Sequence, residues 1–461
     1  MADRPNILLV MSDEHDPAVT GCYGHPYVET PCLDRLAEAG TVFENAYTAC
    51  PICVPARMSF MTGQYVHQVG TWDNGSPLPG STPTIGSYLE AAGYDTVLCG
   101  RTHFVGPERL HGFGVRLMDD AEKWKHWSMS APKRTADARR GSNSHVTECG
   151  PAEGWQNEYD RMAADLSERF LKSKAQYGSD RPWLLYTGFM NPHFPLLCPK
   201  EYYDRYYPDR VVLPDTRTEP WESQHQAIQQ LRYWLRNEEP LDDAMSTVAM
   251  AAYYGLVSFT DDLIGRLVDV VDNSALRENT VVIYVSDHGE MAGHHGIWQK
   301  QCFYEHAVRV PMVVRMPGEA GGRRVSSGAN LVDILPMLLD LSAQEPVAAL
   351  PGTSLVNAVK GEELEDRAIF SEYHALGATS GGFMIRKGDW KYVHYVGMPD
   401  QLFNVVDDPD EVNNRAGDSD CSDILKELHA ELLEVVNPEA VDFEAKENQK
   451  LKGMARAGRK G

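Results

Sequence analysis

The chain has no apolar run long enough to cross a bilayer, no two C-x-x-C pairs that together would make a metal site (Cys50–Cys53 is its one such spacing), no gathered block of Lys or Arg, and no internal repeat. Each absence removes a class of function. A membrane-spanning helix needs about 20 consecutive apolar residues, so no membrane partner is expected. Tracking a phosphate backbone needs a basic stripe, whereas here 43 Lys and Arg face 66 Asp and Glu, for a formal charge of −23. No nucleic-acid partner is expected. Nine cysteines are an odd count and fit no small secreted framework, so no disulfide network is expected. The opening MADRPNILLVMSDEH holds an apolar run of only five residues and lacks the secretory pattern, which makes the cytoplasm the expected compartment.

What is present is an ordinary globular composition: 461 residues, 43% hydrophobic and 24% charged, enough for a large core and a smaller second unit. Asn6 to Met11 is a continuous apolar run suited to a strand buried on both faces. Helical patterns at 32–39, 84–92, 162–174 and 250–271 alternate with strand-like runs at 95–99, 183–188 and 280–286. That alternation predicts an α/β fold with a mostly parallel sheet sandwiched by helices. The chain turns polar near 361–366, and beyond it four short strands at 368–373, 382–386, 391–395 and 401–403 precede a helix at 422–435. We therefore expect a catalytic domain over 1–362, a small α+β subdomain over 363–436, and a polar tail over 437–461 acting as an oligomerisation arm. Val441 and Phe443 would anchor that arm on a neighbour in a dimer or tetramer.

Acidic residues and histidines stand just after the strands: Asp13 after the first, His103 after 95–99, His193 after 183–188, and Asp287-His288 after 280–286. Ligands of open α/β sheets bind at the carboxyl ends of strands, so one cleft could collect all of these. The segment Cys53-Val54-Pro55-Ala56-Arg57-Met58-Ser59-Phe60-Met61-Thr62-Gly63 has the form C-x-P-x-R-x-x-x-x-T-G. Pro55 suits the first turn of a helix, Cys53 would sit at its positive end, and Arg57 lies one turn on. Alone, Cys-x-Pro reads as a buried thiol at a helix start.

The full pattern resembles the signature of the formylglycine-dependent sulfatases of the alkaline phosphatase superfamily. In that family the Cys is oxidised by a maturation enzyme to an aldehyde, which hydrates to a geminal diol. The resemblance extends over most of the chain. Asp13, Asp287 and His288 match the family's metal ligands, together with residue 53; Glu14 stands where Asp is commoner and is a candidate further ligand. The implied cofactor is one divalent cation, Ca²⁺ first and Mn²⁺ second, since carboxylates dominate but one imidazole is present. Gly100-Arg101-Thr102-His103 is similar to the family's Gly-Lys-x-His, Asn191-Pro192-His193 to its segment with the leaving-group histidine, and Lys300 to its sulfate-binding lysine. Asn74 matches a polar pocket residue of the choline-sulfatase branch.

The implied activity is hydrolysis of a small aryl or alkyl sulfate monoester. Arg57, Arg101 and Lys300 hold the sulfuryl group, His193 protonates the leaving alcohol, and His103 releases sulfate from the adduct. The related phosphonate monoester hydrolases carry Tyr and Thr where this chain has Arg101 and His103. A phosphonate or phosphodiester hydrolase on the same scaffold is therefore the alternative. Gly106 to Phe113, Arg309-Val310-Pro311 and Pro399 to Phe403 are similar to the choline-sulfatase branch. Strict choline specificity would want an acidic residue where Leu376 stands, although Trp124, Trp127 and Tyr373 could form a cation–π cage. A non-catalytic protein keeping the fold is a third reading, opposed by the intact Cys53, Arg57, Asp287, His288 and Lys300.

Overall fold

The computed structural model describes residues 4–120 and 134–457. The expected α/β architecture is present. Eight strands form the main sheet: β1 (Asn6–Asp13), β2 (Thr41–Phe43), β3 (Asp95–Gly100), β4 (Val115–Arg116), β5 (Trp183–Pro192), β6 (Thr280–Ser286), β7 (Met312–Arg315) and β8 (Arg323–Val325). Their order across the sheet is β8-β2-β7-β6-β1-β5-β3-β4. β1, β6, β5, β3 and β4 pair in parallel, whereas β7 runs antiparallel to both β6 and β2.

The continuous apolar run of β1 follows from helices on both faces. Leu8 and Val10 pack beneath α4 (Trp155–Tyr177) and α5 (Asp243–Asp272). Ile7, Leu9 and Met11 face α2 (Cys53–Thr62) and α6 (Ile334–Leu341). The two-residue period of the strand thus divides one run between two cores. Helices α1 (Pro31–Glu38) and α3 (Ile85–Ala91) complete the layers.

The C-terminal unit is an antiparallel sheet of β9 (Ile369–Tyr373), β10 (Gly382–Lys387), β11 (Trp390–Tyr395) and β12 (Gln401–Asn404), in that order, with α7 (Ser422–Val435) against it. Its core joins Phe370, Phe383, Ile385 and Leu428 to Tyr47, Ile52 and Val66 of the first unit. The expected polar tail is instead a helix, α8 (Pro438–Ala457), folded onto its own chain. Val441 and Ala445, one turn apart, are buried there, and the Gln449 amide one turn further donates to Asp73 Oδ2 and the His374 carbonyl. Phe443, paired with Val441 in the expected arm, lies on the exposed side. Trp124 and Trp127 of the suggested aromatic cage fall outside the described residues; Tyr373 is buried, its hydroxyl donating to the Leu376 carbonyl.

Candidate active site

Four strand ends supply the site. Asp13 closes β1, Arg101 and His103 follow β3, His193 follows β5, and Asp287 and His288 follow β6. The loops approach closely because Gly100 and Gly188 carry no side chain. A Cβ on Gly188 would lie 1.9 Å from the Arg101 carbonyl oxygen, and one on Gly100 would lie 2.2 Å from the Gly188 oxygen. Gly100 also adopts a φ of +78°, a region that favours glycine.

Opposite these strand ends stands the start of α2. Ile52 is the N-cap and offers no capping side chain; Cys53 is the first helical residue. The missing cap is replaced from a distance: the Val54 N–H donates to Asn74 Oδ1 at 3.0 Å. Asn74, expected in a pocket, thus spends its carbonyl oxygen ordering the turn that carries Cys53.

Arg57 ties the two halves together. Its Nε donates to Asp287 Oδ2 at 2.7 Å and its Nη2 to Asp13 Oδ2 at 3.1 Å. Nη1 reaches the Arg101 carbonyl and the Tyr186 hydroxyl. The guanidinium is fully buried and its fork aligns both carboxylates, so its direct partners are these side chains. Arg101 Nε also donates to Asp13 Oδ2, at 2.5 Å, and its Nη2 lies 3.1 Å from His103 Nδ1. Burial alone would raise the Asp13 carboxyl, but the guanidiniums of Arg101 and Arg57 hold it well below its ordinary range.

Asp13, Cys53, Asp287 and His288 each present one donor atom, all within 4.8 Å of one another. His288 Nε2 is 3.2 Å from Cys53 Sγ, 3.7 Å from Asp13 Oδ1 and 3.6 Å from Asp287 Oδ1. Its other ring nitrogen, Nδ1, lies 3.0 Å from the Gly289 carbonyl oxygen, so an N–H there leaves the Nε2 lone pair facing the cluster. Two carboxylates and one imidazole around a buried point fit a divalent cation chemically.

Glu14 points elsewhere. Its carboxylate lies 2.8 Å from Lys300 Nζ and 3.3 Å from His193 Nε2, and it groups with Asp13 and His193 rather than with Asp287 and His288. Burial raises its pKa well above the ordinary value; Lys300 opposes that shift and Glu290 adds to it. The longer side chain in place of Asp has swung toward Lys300. Burial likewise pushes the His193 imidazole well down, with Lys300 adding to the effect, so it is neutral at physiological pH. His193 Nδ1 lies 2.6 Å from the Phe194 carbonyl oxygen, which places the proton there and the lone pair on Nε2.

Two carboxylates that sequence reasoning did not single out hold the loops. Asp120 accepts from the N–H groups of Thr102 and His103 at 2.6 and 2.7 Å and from the Thr102 hydroxyl at 2.7 Å. It fixes His103 at a φ of +60°. Asp160 on α4 accepts from the N–H groups of Met190 and Asn191 and from the Asn191 amide, just before His193. Burial pushes Asp160 up to about 7. No local spacing could have revealed either residue, because each reaches across 17 to 31 positions.

Comparison with known proteins comes to the same place. The family described as Sulfatase matches residues 5–343, and the C-terminal region of N-sulphoglucosamine sulphohydrolase matches 293–438. A choline-sulfatase of Rhizobium meliloti (strain 1021) is 33% identical over 425 residues, covering 90% of this chain and 82% of its own. Arylsulfatase K of Danio rerio is 28% identical, covering 94% and 84%. Among solved structures, the phosphonate monoester hydrolase of Agrobacterium radiobacter superposes with a TM-score of 0.76 at 24% identity, over 94% of this chain and 95% of that one.

Proposed function

From the premise that the chain belongs to the sulfatase family, we propose that it hydrolyses small aryl or alkyl sulfate monoesters with a nucleophile made from Cys53. The observation carrying this reading is the convergence of Asp13, Cys53, Asp287 and His288 within 4.8 Å at the start of a helix. A divalent cation, Ca²⁺ or Mn²⁺, would be held by Asp13, Asp287 and His288 beside residue 53, and when bound it would act as a Lewis acid toward the sulfuryl oxygens.

In this reading a maturation enzyme oxidises Cys53 to formylglycine, and hydration gives two hydroxyls on one carbon. One hydroxyl, giving its proton to Asp13 or a nearby carboxylate, attacks sulfur through its oxygen, and the S–O bond to the alcohol breaks. His193, neutral on its own, takes up a proton at Nε2 together with the anionic substrate and hands it to the departing oxygen. Lys300 and Arg101 hold the sulfuryl oxygens while charge moves onto them. His103 then takes the proton of the second hydroxyl, the C–O bond to sulfate breaks, and the aldehyde is restored. The diol thereby avoids an attack of water on sulfur. Arg57, engaged with both carboxylates, acts by keeping them in place.

Sulfate and phosphonate monoesters are both tetrahedral anions, so weak phosphonate hydrolysis belongs to the same proposal. The test is kcat/KM for an aryl sulfate and the matching aryl phosphonate monoester on one preparation. A higher value for the sulfate supports the reading, and a higher value for the phosphonate replaces it.

A further inference from the structure

A cavity of mixed charge, with two arginines that form no ion pair, lies away from the Cys53 centre. A cavity of about 710 Å³ sits between the first unit and the C-terminal sheet, and it is lined by Tyr47, Arg309 and Arg386 among others. None of Asp13, Cys53, Arg57, Arg101, Asp287, His288 or Lys300 lines it. Arg309 closes the short helix Glu305–Val308, and Arg386 lies on β10.

The other charges around the cavity are largely spent. Glu305, close to both arginines, accepts from the Tyr47 hydroxyl at 2.9 Å and from Lys391 Nζ at 3.0 Å. Arg367 is paired with Asp333, and Lys387 with Glu431. Among the described residues, neither Arg309 nor Arg386 has a carboxylate within ion-pair distance. Arg386 is only 6% exposed, and its Nε is buried without a hydrogen-bond partner. A buried guanidinium donor without an acceptor, as at Arg386, is costly, and a second guanidinium, Arg309, lining the same cavity gives a tetrahedral oxyanion two partners. The rim has the opposite character: Asp366, Asp389 and Asp410 line it and are exposed.

We propose that this cavity is a second ligand site, for a sulfate or phosphate monoester whose oxyanion sits between Arg309 and Arg386. The three rim carboxylates exclude a second anionic group and accept hydrogen bonds from hydroxyl or ammonium groups, so the organic part is sugar-like rather than apolar. The volume suits such a ligand, since small-molecule sites run from about 300 to 1,000 Å³. The inference is independent of the chemistry at Cys53.

Tungstate, a heavy tetrahedral oxyanion, can be located by anomalous diffraction in crystals of the unmodified protein. One tungstate between Arg309 and Arg386 is expected; tungstate confined to the Cys53 centre overturns the proposal without recourse to any variant. Calorimetric titration with inorganic sulfate, inorganic phosphate and glucose 6-phosphate then compares wild type with Arg386→Gln and Arg386→Lys. The Gln variant should bind glucose 6-phosphate at least tenfold more weakly, the Lys variant should lie between, and turnover of an aryl sulfate should be unchanged in both. Glucose 6-phosphate should bind wild type more tightly than either inorganic ion. Equal binding by wild type and Arg386→Gln, or a cavity tungstate that survives that substitution, would mean an adventitious ion only and would refute the site.

Discussion

Two of the molecule's clusters of buried charge differ in kind. At the ends of the main strands, Asp13, Asp287, His288 and Cys53 turn their donor atoms toward one another, and the guanidiniums of Arg57 and Arg101 hold the carboxylates from behind. At the junction with the C-terminal sheet, charges alternate instead. Lys391 lies between Glu305 and Glu411, and Glu372 lies between His67 and His374. The first arrangement gathers ligands around one point and calls for a cation; in the second, carboxylates alternate with Lys391, His67 and His374 and tie two units together. Burial of charge alone therefore identifies neither a site nor a structural tie. What distinguishes them is whether like donors converge or opposite charges alternate.

Substitutions should separate the two. The largest effect on turnover is expected for Asp287→Ala, which removes a carboxylate from the cluster and leaves Arg57 Nε unmatched. Turnover of an aryl sulfate and stoichiometric metal binding should both vanish, read by steady-state kinetics and elemental analysis. Retained activity after exhaustive chelation would break the comparison at its first term.

At the junction, Glu372→Gln should leave catalysis in the folded protein intact and lower stability instead. Burial would raise the Glu372 carboxyl, but His67 and His374 bring it from 4.5 down to about 2. Because the folded pKa is depressed, its contribution is present above pH 4.5 and is lost as pH falls toward 2. By linkage that contribution is about 3 kcal/mol. Denaturant unfolding at neutral pH should show a loss of that order in the variant, and the gap to wild type should close as pH falls through this window.

Within the centre, Arg101→Tyr combined with His103→Thr should cost sulfate hydrolysis about 2–4 kcal/mol in transition-state stabilisation, as for loss of a well-placed donor. Phosphonate hydrolysis should fall much less. Equal losses on both substrates would make the pair part of the shared scaffold. The smallest effect is expected for Asn74→Ala, which uncaps α2 at Val54. About 1 kcal/mol of stability should be lost, measured by urea unfolding.

Much of this was legible in the chain. The C-x-P-x-R segment located the helix start, and β1, β3, β5 and β6 were visible as apolar runs, each with its acidic or histidine residue just beyond. What escaped has a common cause. β7 carries only four residues, Met312–Arg315, too short for a period to be seen. Asp120 and Asp160 act through hydrogen bonds to distant backbone, which leaves no trace in local spacing. The helix at 438–457 is poor in apolar residues, and its packing rests on Val441, Ala445 and the polar Gln449, so composition suggested a tail. The direction taken by Glu14 likewise depended on Lys300 and His193, far apart in sequence.

The central claim is that residue 53 is chemically converted before it acts. Mass spectrometry of the peptide containing Cys53, on the same sample whose aryl sulfatase turnover has been measured, tests it directly. Loss of sulfur with gain of an aldehyde, in a fraction that rises in step with specific activity across preparations, is the predicted result. Full activity in a sample whose Cys53 is wholly unmodified would contradict it.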